Sequence, residues 1–241
     1  MSVALNVIDH PAEARPQGPP LLIAHGLFGS GRNFGALARR LAAGRRVVAV
    51  DMRNHGASPW DEDCSYAAMA DDLARTIRER GLARPVVLGH SMGGKAAMAL
   101  ALGQGTALSG LIVADIAPVA YAHTHGGFIA AMKGVDLSRI TRRSDADPML
   151  ARAVPEAPLR AFLLQNLLVE GAQARWRVNL DALEAGMSEL TGFPDFAGRH
   201  WAGPALFLRG GASDYAGPET EPAIRAHFPS AEIRTLDGAG H

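Results

Sequence analysis

Residues 89–93 read Gly-His-Ser-Met-Gly, a serine with glycine two places before it and two places after it. A serine in that pattern is a candidate nucleophile. Its hydroxyl must be lifted clear of the backbone on a very tight turn from strand to helix, where a side chain at either flanking position would clash. The flanks suit such a turn: "VVLG" before it reads as a strand, and "MGGKAAMALAL" after it as a helix. A hydroxyl is a weak nucleophile near neutral pH, so Ser91 needs a base, and the base needs an orienting group.

Where this motif belongs to a triad, the acid follows the serine in the chain and the histidine comes last. His241, at the end of "RTLDGAGH", lies on a small-residue loop after the final predicted strand and is the candidate base. The competing histidines read otherwise. His25, in "HGLFG", is expected to pin its loop, His55, in "DMRNHGAS", to brace the site, and His90 to point away from the serine. His123 and His125, in "YAHTHGG", suggest metal ligands, but without a nearby third ligand they read as loop polarity, and no metal is expected. His10, His200 and His227 have no motif around them.

Two aspartates compete for the acid. Asp115 ends the strand "LIVAD" after the serine helix, and Asp214 follows the strand in "LRGGASDY". Both belong at carboxyl ends of strands, where ligands of parallel sheets gather, and either could instead cap a helix or close a turn. Charge developing on a substrate oxygen calls for two backbone N–H groups. One is expected from Met92, directly after the serine, and the other from Leu27, with Phe28 as the neighbouring choice. The side chains of Leu27, Phe28 and Met92 would help to line an apolar pocket.

Stepwise alternation of apolar strands and amphipathic helices must position these groups. Strands are predicted over 19–26, 45–51, 85–89 and 110–115, and helices over 33–42, 66–80 and 92–103, with "VALNVID" as an additional edge strand. Continuous apolar strands separated by helices indicate a mostly parallel sheet covered on both faces. From Pro118 to about Trp201 no clear strand is evident, only helical pieces such as "GFIAAMKGV" and "PLRAFLLQNLLV". The alternation resumes over 204–211, 221–228 and 231–237. The expected organisation is a core of residues 1–117 and 202–241 with a helical cap, 118–201, inserted between two strands of one sheet. Tyr121, Phe128, Phe162, Leu163 and Trp176 are candidates for substrate-facing walls of that cap, or for its packing onto the core.

Composition narrows the partners. The 24 basic and 24 acidic residues cancel without a block of like charge, which argues against nucleic acid or an anionic membrane surface. Cys64 is a lone cysteine, so an intrachain disulfide is impossible. No run approaches the ~18 apolar residues of a membrane span, and the N-terminal stretch does not read as a secretory signal. A soluble cytoplasmic protein, monomeric or homodimeric and acting on a small molecule, is the expectation.

In order along the chain, "HGLFGSGRNF", "VVAVDMRNHGASP", "LGHSMGGKAAM", "VADIAPVAY", "WRVNLDAL" and "GAGH" resemble the YbfF-like esterases of the α/β-hydrolase superfamily. The resemblance runs from about Pro20 to the last residue; "HSMGGK" and "WRVN" are its most particular pieces. It implies an α/β-hydrolase fold and hydrolysis of short-chain carboxylic esters or thioesters, acyl-CoA among them, without metal or organic cofactor. It favours Asp115 as the acid; Asp181, in "WRVNLDAL", is sometimes proposed for the acid in relatives, but it lies in the cap and reads as structural. It also implies a longer natural chain, since such relatives continue past the histidine into a final helix. The same residue set could cleave C–C bonds, transfer acyl groups or form peracids, and the fold can serve as a non-catalytic receptor. An ester-cleaving Ser–His pair makes a specific demand on pH. Activity should rise through the ordinary histidine range, about 6.5–7, as the base becomes neutral; a rate that stays flat from about pH 5 to 9 would contradict it.

Overall fold

The computed structural model describes residues 1–103, 107–122, 124–171 and 173–241. The first half runs β1 (Val7–His10), β2 (Leu21–Ala24), α1 (Gly35–Ala42), β3 (Val47–Val50), α2 (Tyr66–Glu79), β4 (Val86–His90), α3 (Met92–Gly103) and β5 (Gly110–Ala114). An insertion follows, with α4 (Gly126–Lys133), α5 (Asp147–Leu150), α6 (Ala157–Leu164), β6 (Leu167–Glu170), β7 (Gln173–Trp176), α7 (Leu180–Ala185) and α8 (Met187–Thr191). The alternation then closes with β8 (Ala205–Gly210), α9 (Glu221–His227) and β9 (Ala231–Leu236).

Seven strands form one sheet in the order β1-β3-β2-β4-β5-β8-β9, with β1 antiparallel to β3 and the other pairs parallel. Every residue of β2 and β3 is buried. Their side chains alternate between two cores, as the period of a strand requires. Leu21, Ile23, Val47 and Ala49 pack with Ala38 and Ala42 of α1, while Leu22, Ala24, Val48 and Val50 join the larger core with Leu73 of α2 and Met98 of α3. This explains the unbroken apolar runs: neither face of the central strands meets water.

β5 pairs directly with β8, so the insertion leaves at the carboxyl end of β5 and returns to the neighbouring strand. It is not purely helical, contrary to the sequence expectation. β6 and β7 form an antiparallel hairpin, Leu167 opposite Trp176, turning through Gly171 at φ +60°. The run "FLLQNLLVE" carries too much leucine to announce its change from helix to strand after Leu164. Trp176, expected on a substrate-facing wall, is instead buried in the core beside Val178 and Leu180, because it is an inward position of β7. Leu163 is likewise fully buried in the core.

The insertion is fastened to the loops that build the sheet's carboxyl edge. Asn179, of the "WRVN" stretch, accepts from Ala182 N–H to cap α7, and its own N–H donates to the Asn54 carbonyl at 2.9 Å. Asn166 donates to the Phe28 carbonyl at 2.8 Å, and Tyr66 donates to the Leu190 carbonyl at 2.7 Å. Asp181 is exposed and pairs with Lys133 at 2.6 Å on the outside of the insertion.

One buried ion pair holds the loop after β3. Arg53 Nε and Nη2 donate to the two carboxylate oxygens of Asp72 at 2.7 and 2.9 Å, with both side chains at 0% exposure. Carbonyls of Asp63 and Ala68 and the N–H of Val3 satisfy further valences of the pair. Removing one partner strands a desolvated charge, so Asp72→Ala should lower unfolding stability by about 3–5 kcal/mol in urea titrations. A loss below about 1 kcal/mol would mean that the pair is dispensable to the fold.

Candidate active site

Ser91 sits between β4 and α3 at φ +51°, a region that costs a non-glycine residue energy. Its N–H donates to the Ala114 carbonyl at 3.0 Å, which ties the turn to the end of β5. The glycines around it have no room for a side chain. A Cβ on Gly89 would lie 2.2 Å from the Gly93 carbonyl oxygen, and one on Gly93 would lie 2.4 Å from that of Ala24. Phe28 (φ +61°) and Asp115 (φ +54°) are also in the left-handed region. Strain of this kind persists only where surrounding contacts over-determine the backbone.

His241, on the loop after β9, reaches back across the sheet. Its Nε2 lies 2.9 Å from Ser91 Oγ and its Nδ1 lies 2.7 Å from Asp115 Oδ2. With a carboxylate at Nδ1, that nitrogen carries the hydrogen and donates, leaving Nε2 to accept from the serine hydroxyl. Asp115 Oδ1 accepts from Gly210 N–H at 2.8 Å, and Oδ2 also accepts from the Ser213 hydroxyl. The carboxylate is thus fixed by β8 and its following loop. Asp214 is exposed and makes no hydrogen bond to the imidazole; the loop directs Ser213 and Tyr215 toward the site instead.

The loop after β2 is shaped by two buried imidazoles. His25 Nδ1 donates to the Gly26 carbonyl at 2.7 Å and its Nε2 accepts from Met52 N–H at 2.9 Å. His55 Nδ1 donates to the Arg53 carbonyl at 2.8 Å and its Nε2 accepts from Phe28 N–H at 3.2 Å. Burial keeps both rings neutral, depressing His25 to about 3 and His55 to about 4. Because Phe28 N–H is engaged by His55, Phe28 is a poor choice for the second oxyanion donor. The N–H groups of Leu27 and Met92 have no acceptor among the described residues, and both residues line a small cavity of about 30 Å³ beside Ser91.

A larger cavity of about 690 Å³ opens over Ser91 and His241. Its apolar wall comprises Leu27, Phe28, Phe34, Phe128, Leu159 and Phe162. Phe28, Phe128 and Phe162 thus line the same cavity as Ser91. Tyr121 is not on this wall. It lines the smaller cavity, with its hydroxyl accepting from Ala117 N–H at 3.0 Å. His90, expected to point away, lines the larger cavity with its ring 4.8 Å from that of His241, and burial depresses it to about 4. His125 also lines it, Nε2 3.5 Å from the Tyr215 hydroxyl, whereas His123 lies outside the described residues. Among the described residues no three His, Cys, Asp or Glu side chains are grouped to hold a metal ion.

Sequence reasoning missed Tyr215 and Lys95. Tyr215 stacks on His241 with ring centroids 3.7 Å apart. No periodicity announces such a contact, although Tyr215 stands two residues beyond the Ser213 that holds Asp115. Lys95 is 1% exposed and donates to the carbonyls of Thr191 and Gly192, and burial lowers its amine to about 7. A lysine one helical turn after the serine would ordinarily be placed in solvent; the insertion covers it. No helix among the described residues is long and apolar enough to cross a membrane.

The alpha/beta hydrolase family profile matches residues 21–241. The chain is 42% identical to the sn-1-specific diacylglycerol lipase ABHD11 of Mus musculus, over all of this chain and 80% of that one. It is 36% identical to the esterase YbfF of Escherichia coli strain K12, over 98% of this chain and 91% of the relative. Among solved structures, a marine microorganism esterase superposes with a TM-score of 0.93 at 37% identity, covering all of this chain and 93% of that one. Sheet order, serine turn and family profile agree, and the chain belongs to the alpha/beta hydrolase family.

Proposed function

We propose that the protein is a serine esterase in which Ser91 is the nucleophile, His241 the general base and Asp115 the orienting acid. The observation that carries this reading is the unbroken row from Ser91 Oγ through both imidazole nitrogens to Asp115 Oδ2, at 2.9 and 2.7 Å. Relatives named esterase and lipase support the reaction class.

In this mechanism Ser91 Oγ attacks the carbonyl carbon of the ester while His241 Nε2 takes its proton. The oxygen that gains charge accepts hydrogen bonds from the N–H groups of Leu27 and Met92; one such donor is worth about 10²–10³ in rate. Asp115 holds the ring in the required tautomer and stabilises the imidazolium without itself being protonated. His241 then gives the proton to the departing alkoxide, leaving an acyl-serine. Water, deprotonated by the same ring, attacks the acyl carbon and releases the acid and Ser91. A thioester, acyl-CoA included, would follow the same course with a thiolate leaving. The aromatic wall of the larger cavity favours a substrate with one sizeable apolar group, and the scarcity of charge there favours short or medium chains over ionic ones. The segment 118–201 supplies Phe128, Leu159 and Phe162 to that wall and so acts as a cap that helps to set chain length.

Mass spectrometry after a fluorophosphonate probe should give a single adduct that disappears in Ser91→Ala. Asp115→Asn should lower kcat on p-nitrophenyl esters by about 10³–10⁴, with Asp214→Asn within about twofold of the parent; equal mild losses in the two variants would defeat the assignment of the acid. Phe162→Ala and Phe128→Ala should move the preferred acyl length upward by making room in the cavity. An unchanged length profile in both would place the substrate elsewhere.

A further inference from the structure

The ester chemistry makes no use of the aromatic face laid on its base. The ring of Tyr215 lies on that of His241 with an interplanar angle of 17° and centroids 3.7 Å apart. Hydrogen bonds at Nδ1 and Nε2 fix where the two nitrogens lie, but they leave the ring free to tilt about the line joining them. A stacked neighbour removes that freedom. Tyr215 is itself fastened at two points. Its N–H donates to Ser213 Oγ at 3.3 Å, and Ser213 donates to the same Asp115 oxygen that accepts from His241. Its carbonyl accepts from the Tyr121 hydroxyl, which in turn accepts from the N–H of Ala117, two residues beyond Asp115.

Behind Tyr121 stands a buried amine. Lys95 Nζ lies 4.6 Å from the centroid of the Tyr121 ring and 5.7 Å from that of Tyr66. Its donors go to the carbonyls of Thr191, the last residue of α8, and of Gly192 just after it. A continuous row of contacts therefore runs from the nucleophile helix, through the cap's last short helix and two tyrosines, to the face of the imidazole.

We infer that Tyr215 is a positioning residue for His241, its ring fixing the imidazole plane and its π face stabilising the imidazolium that forms when Ser91 loses its proton, with Tyr121 and Lys95 holding it from behind. The inference deepens the serine-esterase reading and rests on it for the imidazolium step. The groups facing His241 are Asp115, Ser91, His90 and Tyr215, with His125 at the Tyr215 hydroxyl. His90 is held neutral by burial well below the working range, so it supplies no competing change of charge there.

The test compares Tyr215→Phe, Tyr215→Leu and Lys95→Met in the full chain, with thermal melts to confirm folding. Tyr215→Phe keeps the ring and should retain most of kcat. Tyr215→Leu should lose about tenfold in kcat, the size of one desolvated cation–π contact, with a smaller change in KM. Its acid limb should move to lower pH, because the protonated ring loses a favourable neighbour. Lys95→Met, which removes the support behind Tyr121, should lower kcat by less than Tyr215→Leu does. An NMR titration of the His241 ring in the Phe and Leu variants reads the same shift without substrate, so it stands whether or not an ester is turned over. If the parent resists fluorophosphonate while the NMR midpoints differ, the esterase reading fails and the stacking role survives. A Tyr215→Leu protein with the parent's kcat, acid limb and NMR midpoint overturns the inference, as does a Tyr215→Phe protein as impaired as Tyr215→Leu. Lys95→Met that melts lower with the parent's kcat removes Lys95 from the row.

Discussion

The site depends on a steric constraint at the start of α3. The first turn of that helix lies so close to β2 and β4 that neither Gly89 nor Gly93 could carry a Cβ, the nearest carbonyl oxygens being 2.2 and 2.4 Å from where it would stand. Close packing of backbone on backbone is what forces Ser91 to φ +51° and turns its side chain out of the sheet. Once the turn is fixed, the rest follows from the parallel register. Ser91 N–H takes the Ala114 carbonyl, Asp115 N–H takes the Leu208 carbonyl, and Gly210 N–H takes the Asp115 carboxylate. Three adjacent strands thereby carry the serine, the acid and the loop that confines the acid. Gly94 belongs to the same constraint, since a Cβ there would meet Ile116 at 2.6 Å, just beyond Asp115.

Most of this was legible in the sequence because it is written in local patterns. The glycine spacing names the turn, the apolar runs name the strands, and the order of serine, aspartate and histidine singles out His241, which meets both Ser91 and Asp115. The acid was not decided by pattern: Asp115 and Asp214 both follow strands, and only the register of β5 on β8 sets which carboxylate meets His241. The hairpin of the cap escaped for a different reason. Its strands are four residues each, and leucines that pack equally well on a helix lead into them. Trp176 was misplaced with it, since the face of a strand cannot be read when the strand itself is unseen. Tyr215 and Lys95 belong to a third kind: their contacts join residues 26 and 96 positions apart, for which no local signal exists.

The cap is joined to the core by backbone and amide contacts at the very loops that present the site. Asn166 holds the carbonyl of Phe28 while His55 holds its N–H, so the loop carrying Leu27 is clamped from above and below. Asn54, at φ +67°, meets Asn179 in the same way. Amide side chains suit this work because each offers donors and an acceptor at once and neither changes charge with pH. Two stretches that carry the resemblance, "WRVN" and the "RNHG" of "VVAVDMRNHGASP", are therefore partners across one interface. An insertion fastened there cannot move away from the core without breaking the contacts that hold the loop of Leu27 and Phe28.

The histidines divide the labour by their surroundings. His25 and His55 are fully enclosed, 5.1 Å apart edge to face, and burial holds them neutral, so each can accept a backbone N–H at one nitrogen and donate at the other. Protonation would abolish the acceptor and release the loops after β2 and β3. Below the unfolded histidine range the unfolded chain takes up protons that these rings refuse, so stability falls as pH drops from about 6.5 toward the depressed values of about 4 and 3. Among the described residues, His241 alone joins a hydroxyl to a carboxylate.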